Sequence, residues 1–248
     1  MRHLILGDIH ANLEALQAVI DDATTEHGFD QIWGIGDLVG YGPNPNEVIG
    51  LVRQYDFRAV AGNHDFAAID KIDYWNVFNP HAAWAAKWTG TELTDENREF
   101  LKALPEMIVV GNGKFTITHG SPRGPIDEYV TQYHTARECF KHFDTPYCLI
   151  SHTHQPLVFA IDAEENLYRD NLCDTEEFAL TYNQRMLINP GSVGQPRDNN
   201  FRASYMIYDD ETETMEHYRV AYEYTKTQLK LAEINMPTML IERLAIGC

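Results

Sequence analysis

The sequence predicts an α/β (α+β) fold in which two β-sheets are layered with helices, and three observations carry that expectation. Short apolar runs recur through the first 200 residues and end abruptly in Gly, Asp, Asn or His. Segments of helical period alternate with them, and closely spaced strands follow later in the chain. Leu4–Leu6 reads as the first strand. From Ala11 to Asp22, Leu13, Leu16, Val19 and Ile20 fall on one helical face. Ile32–Ile35 reads as a second strand, Asn46–Gln54 as a helix entered through Pro45, and Phe57–Ala61 as a third strand. A βαβαβ opening of this kind implies a layered sheet with helices on its faces.

The span from Asn79 to Ala103 has helical period, and Trp84 and Trp88, four apart, form a packing stripe on it. Met107–Val110 and Lys114–Thr118 read as a hairpin around Gly111-Asn112-Gly113, because Asn-Gly supplies the positive φ of a tight turn. A helix near Thr135–Phe143, a strand at Tyr147–Ile150 and further strands as far as Tyr218 predict a second, largely antiparallel sheet. Ala221–Ile234 reads as a closing helix. The apolar tail after it, with Leu240, Ile241, Leu244 and Ile246, is expected to pack back on its own domain in preference to a dimer contact. Residues 1–248 are thus expected to form one domain, with 221–248 as its C-terminal helix and tail.

Apolar residues make up 44% and charged residues 23% of the 248, the composition of a globular chain that buries an ordinary core. With 37 acidic against 19 basic residues the formal charge is −18, which repels polyanions and argues against bulk nucleic acid as a partner. A small phosphate ester remains compatible, because bound cations invert the potential locally. Cys139, Cys148, Cys173 and Cys248 show no pairing motif and are expected to be buried free thiols. The N-terminal apolar run is too short for a signal peptide, and no run of 18 apolar residues could span a membrane, so a cytoplasmic location is expected. Monomer and homodimer are both compatible with the sequence.

The chemistry sits at the ends of the strand-like runs. Gly7-Asp8-Ile9-His10-Ala11-Asn12, Gly36-Asp37, Gly62-Asn63-His64-Asp65, Thr118-His119-Gly120 and Ser151-His152-Thr153-His154 each follow such a run with a carboxylate, amide or imidazole. In layered α/β folds the carboxyl ends of strands form one rim, where ligands bind. One such residue is commonly a helix cap or a packed histidine. Five blocks together, holding five of the eleven histidines, point to a metal centre, whereas His27, His81 and His217 read as surface residues. Mixed imidazole, carboxylate and amide donors without thiolate suit two divalent transition-metal ions of the set Mn, Fe, Co, Ni and Zn better than Ca or Mg, and Mn is the expected choice, with Fe, Zn, Co or Ni as alternatives.

These five blocks, in this order, resemble those of the calcineurin-like metallophosphoesterases over about Met1 to Arg197. The resemblance implies a four-layered αββα sandwich of two mixed β-sheets flanked by helices. It also implies that Asp8, His10 and His154 hold one metal and Asn63, His119 and His152 the other, with Asp37 bridging them and His64 near the leaving-group oxygen. Two ions about 3.5–4 Å apart can activate one water for in-line attack and neutralise phosphoryl charge, while an imidazole can protonate the departing alkoxide. Protein phosphatases and symmetrical dinucleoside tetraphosphatases carry Gly-Asp-x-x-Asp-Arg-Gly where this chain has Gly36-Asp37-Leu38-Val39-Gly40-Tyr41-Gly42, so their phosphate grip does not transfer. The run instead resembles bacterial and archaeal members that act on small molecules.

Four further residues are candidates for substrate contact. Asn12 lies on the rim as a phosphate donor or a helix cap, Tyr41 is placed to stack on a base or an aromatic leaving group, and Arg123 and Arg197 are phosphate forks or surface ion pairs. The expected function is hydrolysis of small phosphate mono- or diesters, with nucleotides or dinucleoside polyphosphates preferred. A non-catalytic scaffold that keeps the fold and a nuclease are the competing classes. The full set of candidate ligands argues against the first, and the acidic charge against the second.

Overall fold

The computed structural model describes residues 1–172, 175–180 and 183–248. Strands β1 (Arg2–Leu6), β2 (Gln31–Ile35) and β3 (Phe57–Val60) are parallel neighbours, with Ile5 beside Trp33 and Trp33 beside Arg58. Helices α1 (Leu13–Asp22) and α2 (Pro45–Val52) cover one face, where Leu4, Leu6, Leu16, Val19, Val48 and Ile49 are buried together. From the other face Ile5, Trp33 and Ile35 enter the core between the sheets. Burial on both faces explains why these strands read as apolar runs without alternation.

Four helices follow β3: α3 (Asn63–Ala68), α4 (Tyr74–Val77), α5 (Pro80–Glu92) and α6 (Asp95–Ala103). The helical stretch expected from Asn79 to Ala103 is therefore two helices. Thr94 divides it, its hydroxyl accepting from the Asn97 N–H at 3.3 Å and capping α6. Trp84 and Trp88 are half-buried against the C-terminal segment, in the packing role expected of them.

Strands β4 (Met107–Val110) and β5 (Phe115–Thr118) form the expected hairpin, and Gly111, Asn112 and Gly113 all take positive φ in its turn. Then come α7 (Tyr133–Cys139), β6 (Tyr147–Leu149), β7 (Leu157–Asp162), β8 (Leu167–Asn171), β9 (Glu176–Ala179), β10 (Gln184–Asn189), β11 (Ala203–Asp209), β12 (Thr214–Val220), α8 (Tyr224–Glu233) and α9 (Thr238–Glu242). They complete two six-stranded sheets, ordered β3-β2-β1-β11-β12-β9 and β4-β5-β6-β10-β7-β8. Both sheets are mixed, as expected of the αββα sandwich, although the strands of the later half are less uniformly antiparallel than their pattern suggested. β11 returns to pair antiparallel with β1, and β5, β6 and β10 run parallel to one another. The apolar run of β11, buried from Ala203 through Tyr208, suits a central position that an edge of the second sheet would not provide.

Helix α7 covers the outer face of the second sheet, packing Ala136 and Cys139 against Cys148, Phe159 and Leu187. Helices therefore lie outside both sheets in four layers. Cys139 and Cys148 are buried thiols as expected, Cys248 is exposed instead, and Cys173 lies outside the described residues. His217 is also not a surface residue: it is buried, with Nε2 2.8 Å from the Ser204 hydroxyl. Leu231, Met236, Leu240 and Leu244 of the C-terminal segment are buried against Tyr41, Ala82 and Ala85, whereas Ile246 is exposed. No helix among the described residues is long and apolar enough to cross a membrane.

Candidate metal centre and active site

The topology explains how distant segments meet. β1, β2 and β3 run parallel in one sheet and β5 and β6 parallel in the other, so their carboxyl ends open on one rim. Asp8 follows β1, Asp37 follows β2, Asn63 and His64 begin α3 after β3, His119 follows β5, and His152 and His154 follow β6. Local backbone geometry aims them inward. Asp8 (φ 49°), His10 (φ 49°), Asp37 (φ 52°), His152 (φ 66°) and His154 (φ 58°) all adopt the left-handed region that non-glycine residues avoid. Such strain persists only where the surroundings over-determine it, and it clusters at functional sites. Gly62 makes the approach possible, since a Cβ there would lie 2.1 Å from Asp37 Oδ1.

Asp8, His10 and His154 form one buried group able to hold a cation, and Asp37, His119 and His152 form another. In the first, His10 Nε2 and His154 Nε2 are 3.2 Å apart, and Asp8 Oδ1 lies 4.0 and 3.5 Å from them. In the second, His119 Nε2 lies 3.2 Å from His152 Nδ1 and 3.1 Å from Asn63 Oδ1. Asp37 Oδ2 faces both, 3.6 Å from His10 Nε2 and 3.4 Å from His119 Nε2. The seven side chains expected to converge on one centre therefore do so.

Hydrogen bonds from outside orient these donors. His10 Nδ1 donates to the Val39 carbonyl at 3.2 Å, His119 Nδ1 to that of Ile35 at 2.9 Å, and His154 Nδ1 to that of Gln195 at 2.5 Å. Each Nε2 lone pair is thereby turned inward. Asp8 Oδ2 accepts from the Ser151 hydroxyl, and Asp37 Oδ1 from the His64 N–H at 2.8 Å. The remaining oxygens, Asp8 Oδ1 and Asp37 Oδ2, are buried without a hydrogen-bond partner. Buried anionic oxygens and imidazole lone pairs this close together are costly unless a cation joins them.

The electrostatics are those of a crowded acceptor cage. Burial pushes the His10 and His154 imidazoles well below their usual range, His152 down to about 3 and His64 to about 4. Burial also raises the Asp8 carboxyl to about 7. Against burial, His119 and His64 hold Asp37 below the usual carboxylate range, and Asp37 in turn lifts His119 to about 9.

Beside the centre lies a cavity of about 140 Å³, walled by Tyr41, His64, Phe78, Tyr129, His152 and Arg197 among others. Tyr41 packs on the rings of His10 and His64 at 4.8 and 4.3 Å, and the Arg197 guanidinium carbon is 5.9 Å from the Tyr41 ring. Asn12 and Arg123 do not join them. Asn12 caps α1: Oδ1 accepts from Ala15 N–H and the Thr227 hydroxyl, and Nδ2 donates to Gly194 O and Tyr222 Oη, leaving nothing for a phosphate. Arg123 is committed to Glu128 in a partly exposed ion pair.

Sequence reasoning missed three contributors. Tyr129 covers His152 with ring centroids 3.9 Å apart. Phe78 lies 4.7 Å from His64. Buried Asp65 accepts the N–H groups of Val39 at 3.1 Å and Gly62 at 2.9 Å, tying the loops of Asp37 and Asn63 together. Only Asp65 carried a signal, as an acid in the first turn of a helix.

Residues 1–213 match the family model of the calcineurin-like phosphoesterase superfamily domain. The chain is 41% identical to a metallophosphoesterase of Sphaerobacter thermophilus whose crystal structure superposes with a TM-score of 0.88, covering 100% of this chain and 99% of that one. An uncharacterised protein of Methanocaldococcus jannaschii is 38% identical over 248 residues, 98% of this chain and 97% of that protein. A symmetrical bis(5'-nucleosyl)-tetraphosphatase of Shewanella sediminis is 39% identical over 67 residues, which span 26% of this chain and 24% of that enzyme.

Proposed function

The chain belongs to the calcineurin-like phosphoesterase superfamily, and from that premise we propose that it is a dinuclear metal-dependent hydrolase of small phosphate esters, with nucleotides or dinucleoside polyphosphates as its substrate class. The observation that carries this reading is Asp37 Oδ2, buried, without another partner, and facing both ligand groups at 3.4 and 3.6 Å. Asp8, His10 and His154 would hold one ion, Asn63, His119 and His152 the other, and Asp37 would bridge them. The mixed imidazole, carboxylate and amide donors suit Mn, Fe, Zn, Co or Ni, and Mn is our first choice among them. When bound, such ions supply Lewis acidity toward phosphoryl oxygens and a water activated at neutral pH.

The chain's own residues do the rest. Arg197, in the cavity wall, would bind the phosphoryl oxygens with its guanidinium fork. Its position bears on the altered motif: Tyr41 stands where related phosphatases carry arginine, and Arg197 brings a cation to the Tyr41 ring from a distant loop. Tyr41, Phe78 and Tyr129 would exclude water and hold the leaving group. His64 is kept neutral by burial, its Nδ1 is without a partner, and its main chain is fixed by Asp37. A phosphate dianion entering beside it would offset that burial and let the imidazole carry the proton that the departing alkoxide needs. We read residues 1–248 as one domain, because the C-terminal segment packs on Tyr41 in the cavity wall.

Hydrolysis of p-nitrophenyl phosphate and bis-p-nitrophenyl phosphate with added Mn tests the proposal. Turnover that requires metal is expected. No turnover with any of the five metals would favour the scaffold reading.

A further inference from the structure

We propose that Tyr129 is a specificity-determining residue of the site, a platform on which a flat aromatic part of the substrate stacks while the phosphoryl group occupies the metal centre. The inference rests on the phosphoester-hydrolase reading and narrows its substrate class to esters whose alcohol part carries an aromatic ring or a nucleobase.

The rings of the cavity wall differ in what they leave open. Tyr41, which the sequence offers for stacking, is 8% exposed, with its ring against His10 and His64 and the Arg197 guanidinium carbon 5.9 Å away. It has little face left for a ligand. Tyr129 lines the same cavity and is 53% exposed. One face of its ring lies on His152, with centroids 3.9 Å and planes 33° apart, so the exposure belongs to the rest of the ring. A half-open tyrosine beside a candidate metal ligand offers an aromatic surface at low conformational-entropy cost, since only two side-chain torsions need be fixed. Val77, 61% exposed, and Phe78, on His64 at 4.7 Å, extend the apolar part of the wall, while Arg197 supplies a cation for the phosphoryl group.

The loop that carries Tyr129 is tied down on its own. After His119, the Gly120 N–H donates to the Pro125 carbonyl at 2.7 Å and the Ser121 N–H to that of Gly124 at 3.0 Å. Glu128, on one side of Tyr129, is held by Arg123 and by the Ser121 hydroxyl at 2.5 Å. Val130, on the other side, is buried in the cluster that Ala136 and Cys139 of α7 form with the second sheet. The Arg123–Glu128 pair, which does not reach the cavity, therefore steadies the segment that presents the ring. A ring positioned in this way has little further freedom to lose when a ligand stacks on it. An aliphatic alcohol part would gain less from the same wall, because stacking needs a second planar π surface.

The test titrates the Mn-loaded full chain calorimetrically with benzylphosphonate and with ethylphosphonate, non-hydrolysable probes that differ by one aromatic ring. The wild type is expected to favour benzylphosphonate. Tyr129→Leu, which keeps apolar bulk and removes the π face, should reduce that preference by about 5- to 100-fold, the worth of one aromatic stack, whereas Tyr129→Phe should retain it. Tyr129→Ser makes the same comparison if Tyr129→Leu fails to fold. Equal binding of both probes by the wild type, or an undiminished preference in Tyr129→Leu, would overturn the platform. So would an equal loss of both probes, which would leave Tyr129 as a support of His152 alone. Turnover of p-nitrophenyl phosphate measured in parallel judges the hydrolase reading separately, since the binding ratio does not require turnover.

Discussion

At the residue scale the centre is a set of acceptors forced together, and its consequences are protonic. His64 illustrates this: buried, neutral and unpartnered at Nδ1, it has no evident structural hydrogen bond to lose from its ring. Its replacement by alanine is therefore expected to lower kcat by about 10²–10⁴-fold, as for loss of a general acid, with a stability loss limited to the ring's packing against Tyr41 and Phe78. Unaltered turnover would remove it from the mechanism. The chelator-treated chain should also lose stability as pH falls. His10, His64, His152 and His154 are depressed in the folded state, so the unfolded chain binds more protons from about pH 6.5 downward. Raised Asp8, Asp65 and His119 work the other way, but His119 is protonated in both states below about pH 5.5, which leaves two groups against four. Denaturation midpoints that stay flat from pH 6.5 to 4 would contradict these shifts.

At the element scale the strand-to-helix turns do the positioning. The β3–α3 turn brings Asn63 and His64 beside Asp37 because Gly62 has no side chain. Gly62→Ala should weaken metal binding about 10- to 100-fold, the range seen when the support of a ligand is disturbed, as read by calorimetric titration of Mn. Asn12 shows the opposite case, a rim residue that serves its own helix. Asn12→Ala should cost about 0.5–2 kcal/mol for the lost cap, and more because Thr227 and Tyr222 lose a buried partner. The KM for p-nitrophenyl phosphate should hold, and a rise in KM without loss of stability would return Asn12 to the substrate.

For the whole molecule, the C-terminal segment is a packing element that backs Tyr41 and Ala82, two residues of the cavity wall. Leu240 is 2% exposed in the cluster that includes Tyr41. Leu240→Ala should cost about 2–5 kcal/mol in chemical denaturation, and it should also impair substrate binding through Tyr41. Metal should act on the entire fold, since five strand ends converge on it. Ions that bind only the folded chain at a hundred times Kd add about 2.7 kcal/mol, so Mn should raise the melting temperature and a chelator should reverse the rise.

How much of this was legible beforehand depends on the range of the interactions involved. Apolar runs ending in Asp8, Asp37, Asn63, His119 and His152 are local signals, and they suffice for the strands, the rim and the candidate ligands, because a strand's carboxyl end faces the same way wherever the strand lies in a parallel sheet. The partition of the later strands was not legible, since β11 joins the first sheet by pairing with β1 from about 200 residues away. Nor was the division between Arg197 and Arg123, two arginines in similar polar loops, one facing the cavity and the other taken by Glu128. Tyr129 over His152 belongs to the same class. Backbone pattern is written in neighbours along the chain, whereas the partner of a long side chain is chosen by whichever surface folding brings beside it.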